Sequence, residues 1–170
     1  MARLDRRIET ALLSLNPTTK RPSWHAAPTF MGVLRGVTPT MALWRPARKA
    51  PHICIWATAV HVAFWQNSVG NRLSSETIKF APRVTPQRWP PAVDTLSADQ
   101  RKETVALVAR THRRLVSVVA DFDPAALDRP PRGTTNRRAI EYIHGIAEHN
   151  LYHGGQINLL KRLAKLSGVA

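Results

Sequence analysis

Apolar residues recur at helical spacing in three long stretches, and prolines mark where each ends. Proline breaks helix interiors, so proline-free runs show where long helices can form. There are three, at 52–81, 92–123 and 132–170. Between them lie Pro82, Pro86, Pro90 and Pro91, then Pro124, Pro130 and Pro131. A fourth helical region precedes Pro39, cut by Pro17, Pro22 and Pro28 into 4–15 and 29–37. In the last stretch Tyr142, Ile146, His149, His153, Gln156, Leu160 and Leu163 follow one another at intervals of 4, 3, 4, 3, 4 and 3. That is the seam of a packed helix, and Thr135 is its candidate N-cap. The middle stretch opens on Ser97-Ala98-Asp99-Gln100, a capping-box pattern, and its stripe is Val105, Val108, His112, Leu115 and Val119. The first long stretch groups Ala57, Val60, His61, Phe64 and Trp65. No alternating apolar-polar run reads as a strand. The expected fold is all-α, a four-helix bundle.

The length of 170 residues predicts one domain over 1–170, in which 1–22 forms an N-terminal helical extension. The single cysteine, Cys54, excludes an intramolecular disulfide and a Cys-rich metal site, and fits a reducing compartment. The first residues are charged and lead into no apolar run of signal-peptide type. The longest apolar stretch, 53–65, contains Thr58 and His61 and is too short for a membrane span, which takes about 20 residues. A cytoplasmic protein is expected. The formal net charge is +14, which suits an anionic partner such as nucleic acid. The basic residues are scattered, however, with no run of five or more. A generally basic surface is the preferred reading, and a nucleic-acid module the lesser one.

The chemistry lies in the histidines. His149 and His153 are one helical turn apart and share a face, with Cβ atoms about 5–6 Å apart. Alone, a His-x3-His pair is a weak signal, because a core histidine is usually satisfied by a hydrogen bond. Here both members fall on a core stripe, as does His61 in the first long stretch. Buried imidazoles need partners. If the fold brings His61 opposite the pair, three neutral imidazoles can hold one divalent ion and leave a coordination position open, as catalytic sites do.

The other candidates have bland alternatives. His112 is a fourth ligand or proton carrier, or else a hydrogen-bonded core histidine, which is preferred. His144 points about 140° away from His149. His52 reads as a helix-start residue, and His25 as a loop residue within reach of the pocket or used at the surface. Gln156 can bond a ligand imidazole or make a polar contact between helices. Trp56, Phe64 and Trp65 read as core and pocket wall, Tyr152 as a packing residue. Cys54 has no activating neighbour and reads as buried.

The run from Ile143-His144-Gly145 through Glu148-His149-Asn150-Leu151-Tyr152-His153-Gly154-Gly155-Gln156-Ile157 resembles the last helix of the DinB-like (YfiT-type) family of metalloenzymes. Those proteins carry a His-x3-His followed by Gly-Gln-Ile. Ile55-Trp56-Ala57-Thr58-Ala59-Val60-His61-Val62-Ala63-Phe64-Trp65 is similar to the family's second helix, whose histidine supplies the remaining ligand. Ser23-Trp24-His25, Leu34-Arg35-Gly36-Val37-Thr38 and Leu43-Trp44-Arg45-Pro46 resemble the approach to that helix. The resemblance spans about 24–163. It implies an up-down-down-up bundle with a long crossover, often dimeric. It also implies one divalent metal, usually zinc or nickel, on His61, His149 and His153. The activity it implies is thiol-dependent transfer or isomerisation with a small bacterial thiol, or hydrolysis, on a small-molecule substrate. Relatives often carry a carboxylate one turn before the first histidine. Here that place is Ala57, so a hydrogen-bond partner is expected to be missing on that side. A metal-binding bundle without catalysis, serving in stress or interaction, is the alternative.

Overall fold

The computed structural model describes residues 5–15, 29–47, 50 and 52–169. They are all-helical, with no strand among them. Among the described residues the helices are α1 (Arg6–Leu15), α2 (Phe30–Val33), α3 (Pro39–Leu43), α4 (Ile55–Leu73), α5 (Ala98–Ala120) and α6 (Ala139–Leu166), with a 3-10 turn at Pro124–Ala126. No helix among the described residues is long and apolar enough to cross a membrane.

Each long helix starts on a local signal. The Cys54 thiol caps α4, accepting from the Ala57 amide at 3.5 Å. At α5, Ser97 Oγ accepts from the Gln100 amide at 3.1 Å and Gln100 Oε1 accepts from the Ser97 amide at 2.8 Å. This closes the capping box that the sequence announces. Ser97→Ala is expected to cost about 1 kcal/mol, read in a thermal melt as a fall of about 2–4 °C in Tm for a chain this size.

Three expectations about helix ends are corrected. Thr135 is not the cap of α6, which begins four residues after it, behind Arg138. The first amides of α6 have other partners: Ala139 donates to the Arg129 carbonyl at 2.9 Å and Ile140 to the Leu127 carbonyl at 3.0 Å. Glu141 reaches back to the Arg138 amide at 2.8 Å. His52 does not start α4 either, but lies in the turn ahead of the Cys54 cap. Pro39 does not close a helix over 29–37. That region holds only the short α2 before Gly36 turns the chain at φ +69°. Pro39 instead opens α3 behind the Thr38 cap, where its fixed φ and missing amide are harmless.

The helices α4 and α5 form the most extensive pair. The helix α6 packs on α4, α1 packs on α5 and α6, α2 packs on α6, and α3 lies against α4 and α5. The apolar interior divides into two clusters. One gathers Phe30, Val37, Met41, Ile55, Val62 and Ile157; the other gathers Ile8, Leu15, Leu115, Leu127, Ile143 and Ile146. Each fully buried Leu or Ile in them contributes about 1.5–3 kcal/mol. Between the clusters runs a polar layer from the three long helices. The Thr111 hydroxyl donates to Gln66 Oε1 at 2.8 Å, and Gln66 Nε2 donates to Asn150 Oδ1 at 3.3 Å.

The buried face of α6 is rotated from the expected seam. It runs through Ile143, Ile146, Ala147, Asn150, His153, Gly154, Ile157, Leu160 and Ala164. Tyr142, His149, Gln156 and Leu163 are half-buried along its flank. Because α1, α2 and α4 all pack on α6, it buries a wide face rather than one narrow seam. That rotation puts His149 and Gln156 at the edge of the core, where a cleft can reach them.

Candidate metal centre

The polar layer and its flank bring His61 from α4 together with His149 and His153 from α6. One side-chain nitrogen from each lies within 4.8 Å of the others, and the group can hold a metal ion. His61 and His153 are buried and His149 is half-buried. The ring centres are 5.2 Å apart for His61 and His149, 5.0 Å for His61 and His153, and 4.4 Å for His149 and His153. The local reason is helical pitch for the pair, and the close packing of α4 on α6 for the third.

Hydrogen bonds decide where the protons sit. His61 Nδ1 is 2.9 Å from the Arg88 carbonyl oxygen. A carbonyl only accepts, so Nδ1 carries the proton and Nε2 keeps a lone pair. His153 Nδ1 lies 2.7 Å from Gln156 Oε1, which fixes the same tautomer there. His149 Nε2 stands 3.3 Å from His61 Nε2. Two imidazole nitrogens this close need a proton or a cation between them, because facing lone pairs repel. Outward-bonded Nδ1 groups and inward lone pairs are what a metal asks of histidine ligands. The residues therefore fit a divalent ion. Ala57 leaves no carboxylate beside His61, yet the partner expected to be missing is supplied from the loop by Arg88.

All three imidazoles are held neutral. Burial pushes His149 down to about 3, helped by the neighbouring His153 and His61. Burial also lowers His61 against the opposing Arg88 hydrogen bond, and lowers His153 against the opposing bond to Gln156. Neutral imidazole is the ligating form, so no proton has to leave at pH 7.

The loop between α4 and α5 closes one side. Its first half is tied to α4 by Asn67 and Asn71, whose side-chain amides donate to the Ile78 carbonyl at 2.9 and 3.0 Å. Further on, Arg88 adopts φ 68°, a left-handed conformation that costs a bulky residue free energy. The turn is closed by the Arg88 amide on the Thr85 carbonyl at 2.8 Å and the Thr85 amide on the Trp89 carbonyl at 2.7 Å. It aims the Arg88 carbonyl at His61 and lays Trp89 flat on the His61 ring, with centres 4.0 Å apart and planes at 7°. His52 approaches the same indole at 5.7 Å. Sequence reasoning missed Arg88 and Trp89. The available signal was a tryptophan set between Pro86 and Pro90.

The remaining candidates divide. Trp65 stands edge-on to His61 and His149 at 6.4 and 6.3 Å and walls the site. Gln156 holds His153, as above. His112 is buried, and burial lowers its pKa, but it is outside the three-histidine group. Tyr152 does not pack inside. It is 63% exposed, with its ring 4.9 Å from His153. His25 lies outside the described residues, as do Ser23 and Trp24. Cys54 is buried, and burial raises its thiol pKa, so it is no nucleophile. A cavity of about 380 Å³ reaches His149 from the solvent side, bounded by Trp65, Arg72, Arg137, Glu141 and Tyr142. The Arg72 guanidinium lies over the Tyr142 ring, 5.5 Å from its centre.

Residues 25–157 match the DinB superfamily. The chain belongs to that superfamily. The matched span includes His61, His149 and His153, together with the loop that carries Arg88 and Trp89. No curated protein and no solved structure matches the chain.

Proposed function

We propose that this DinB protein is a divalent-metal-dependent enzyme of the thiol-transferase, isomerase or hydrolase kind, with His61, His149 and His153 as the metal ligands. The observation that carries the reading is the convergence of three neutral imidazoles, two with their outer nitrogens already bonded away from the centre. A zinc or nickel ion there would supply a positive centre that acidifies a bound water or thiol near neutral pH. The chain's own part is orientation and shielding. The Arg88 carbonyl and Gln156 hold two ring orientations, and Trp89 and Trp65 keep water from the imidazole faces. The cavity beside His149 is where a small-molecule substrate enters, and Arg72 and Arg137 favour an acidic one.

The same reading takes the helices as an up-down-down-up four-helix bundle with a long crossover over 74–97. It takes the protein as cytoplasmic and as a homodimer, for which the exposed Leu151, Tyr152 and Leu159 on α6 offer an apolar face. The test is turnover. Protein loaded with zinc or nickel is incubated with a panel of cysteine-derived thiols and an aryl chloride, where sulfur displaces chloride and the thiol proton is released. Thioether formation that requires the ion and is lost in His153→Ala supports the proposal. Stoichiometric metal without turnover of any thiol or ester substrate leaves a non-catalytic metal-binding protein instead.

A further inference from the structure

The loop that covers the histidines has a second face. On that side lies the larger cavity, about 500 Å³, between α4, α5 and residues 81–96. None of the three histidines lines it. Its volume is that of a small-molecule site. Its walls are apolar, from Trp56, Val60, Pro82, Pro90, Leu96 and Leu107.

The half-buried polar side chains in those walls, Trp56 and Thr104, are already bonded, while Thr95 and Gln100 stand at exposed positions. Trp56 Nε1 donates to Thr104 Oγ1 at 3.2 Å, and the Thr104 hydroxyl donates to the Gln100 carbonyl at 2.9 Å. The Gln100 side chain is held by the Ser97 amide at 2.8 Å. A ligand in this space therefore finds no hydrogen-bonding group inside and must be apolar there. Three charged side chains also line it, Arg83, Glu103 and Arg110, and all three are exposed, so they form its rim. Arg83 and Arg110 make no hydrogen bond or ion pair with any described residue. The rim carries a net positive charge, with guanidinium donors free to take an oxyanion.

We propose that this cavity is a second binding site, separate from the histidine group, for an amphipathic carboxylate of the fatty-acid type. The tail lies along Trp56, Val60 and Leu107, and the carboxylate meets Arg83 and Arg110. The apolar wall supplies affinity, and the two arginines supply the choice of an acid over an alcohol or amine of the same length.

The test is calorimetric titration of the full chain with octanoate, octanol and octylammonium. Octanoate is expected to bind at one site, with octanol roughly fivefold weaker, the size of two exposed charge contacts, and octylammonium weaker still. The double variant Arg83→Gln, Arg110→Gln should bind octanoate and octanol alike. Val93→Trp, a loop substitution that fills the cavity, should abolish binding, with a circular dichroism melt to establish folding. If Val93→Trp is unfolded, Leu107→Phe takes its place. Octanoate bound as tightly by the double variant, by the filled variant, or no better than octylammonium by the wild type overturns the proposal, as does no binding. His149→Ala should bind octanoate like the wild type, so the outcome here is independent of whether the histidines hold metal.

Discussion

Alanine at His149 or at His153 is expected to remove stoichiometric zinc or nickel, while His144→Ala keeps it. His153 lies on the buried face of α6 and His149 on its flank, with ring centres 4.4 Å apart, and His61 completes the group from α4. Two histidines left behind cannot enclose the ion, so affinity should fall by at least about a hundredfold, beyond the tenfold to hundredfold typical of losing a hydrogen-bond partner of a ligand. Gln156→Ala should fall within that smaller range, because it frees the His153 ring without removing it. Elemental analysis after reconstitution reads the stoichiometry, and competition with a chelator reads the affinity. Stability gives a second readout. An ion that binds only the folded chain, supplied at a hundred times its Kd, adds about 2.7 kcal/mol, or about 5–10 °C in Tm for a chain this size. That increment should vanish in each ligand variant. Full stoichiometry and affinity in His61→Ala would show the three-histidine centre to be wrong.

The pair was legible because its geometry is local. Two residues four apart on a helix share a face whatever the rest of the chain does. His61 was legible only as a core-stripe histidine, since meeting α6 depends on packing. The DinB resemblance supplied that step, and the packing of α4 on α6 agrees with it. The polar layer of Gln66, Thr111 and Asn150 was not legible, because no sequence pattern says that three polar residues on three helices fall at one level. Half of the seam on α6, at Ile146, His153 and Leu160, is buried as read, and the other half was read one position off. The residues 142, 149, 156 and 163 and the residues 143, 150, 157 and 164 have the same period, and only the number of packing neighbours decides between them.

The loop was the least legible element. Periodicity says nothing of a proline-rich connection, and the Arg88 carbonyl acts through the backbone, where residue type carries little signal. Pro39 shows the same limit in a smaller way. A proline stops one helix or starts the next, and the threonine before it decides. The missing carboxylate at Ala57 suggested a weakened ligand. The chain solves the same physical problem differently, taking the His61 Nδ1 proton on a main-chain carbonyl 2.9 Å away.

The metal-free protein should lose stability in acid between pH 6.5 and about 3, and the histidine cluster should be a principal cause. Unfolded histidines titrate near 6.5. In the fold His149 is lowered to about 3, and His61, His153 and His112 are lowered as well. Below pH 6.5 the unfolded chain therefore binds protons that the folded chain refuses. Stability is full above 6.5 and falls as pH drops, because the slope with pH follows the excess of protons on the unfolded state. For His149, discounted for its partial exposure, the loss between pH 7 and pH 5 is on the order of 1 kcal/mol. Thermal melts in chelator at pH 7, 6 and 5 read it as a fall of a few degrees in Tm. The exposed carboxylates Asp5 and Glu141, held low by Arg7 and Arg138, act in the same direction at lower pH, so the decisive comparison is with His149→Gln. That variant keeps the side-chain polarity but cannot be protonated, and its Tm should fall less over the same interval. Excess zinc should raise the wild-type Tm at each pH without steepening the slope, since the folded imidazoles are already neutral and hold no proton for the ion to displace. A wild-type Tm that is flat from pH 7 to pH 5, or a slope that His149→Gln leaves unchanged, would mean that the imidazoles are charged in the fold and that the cluster does not present neutral ligands.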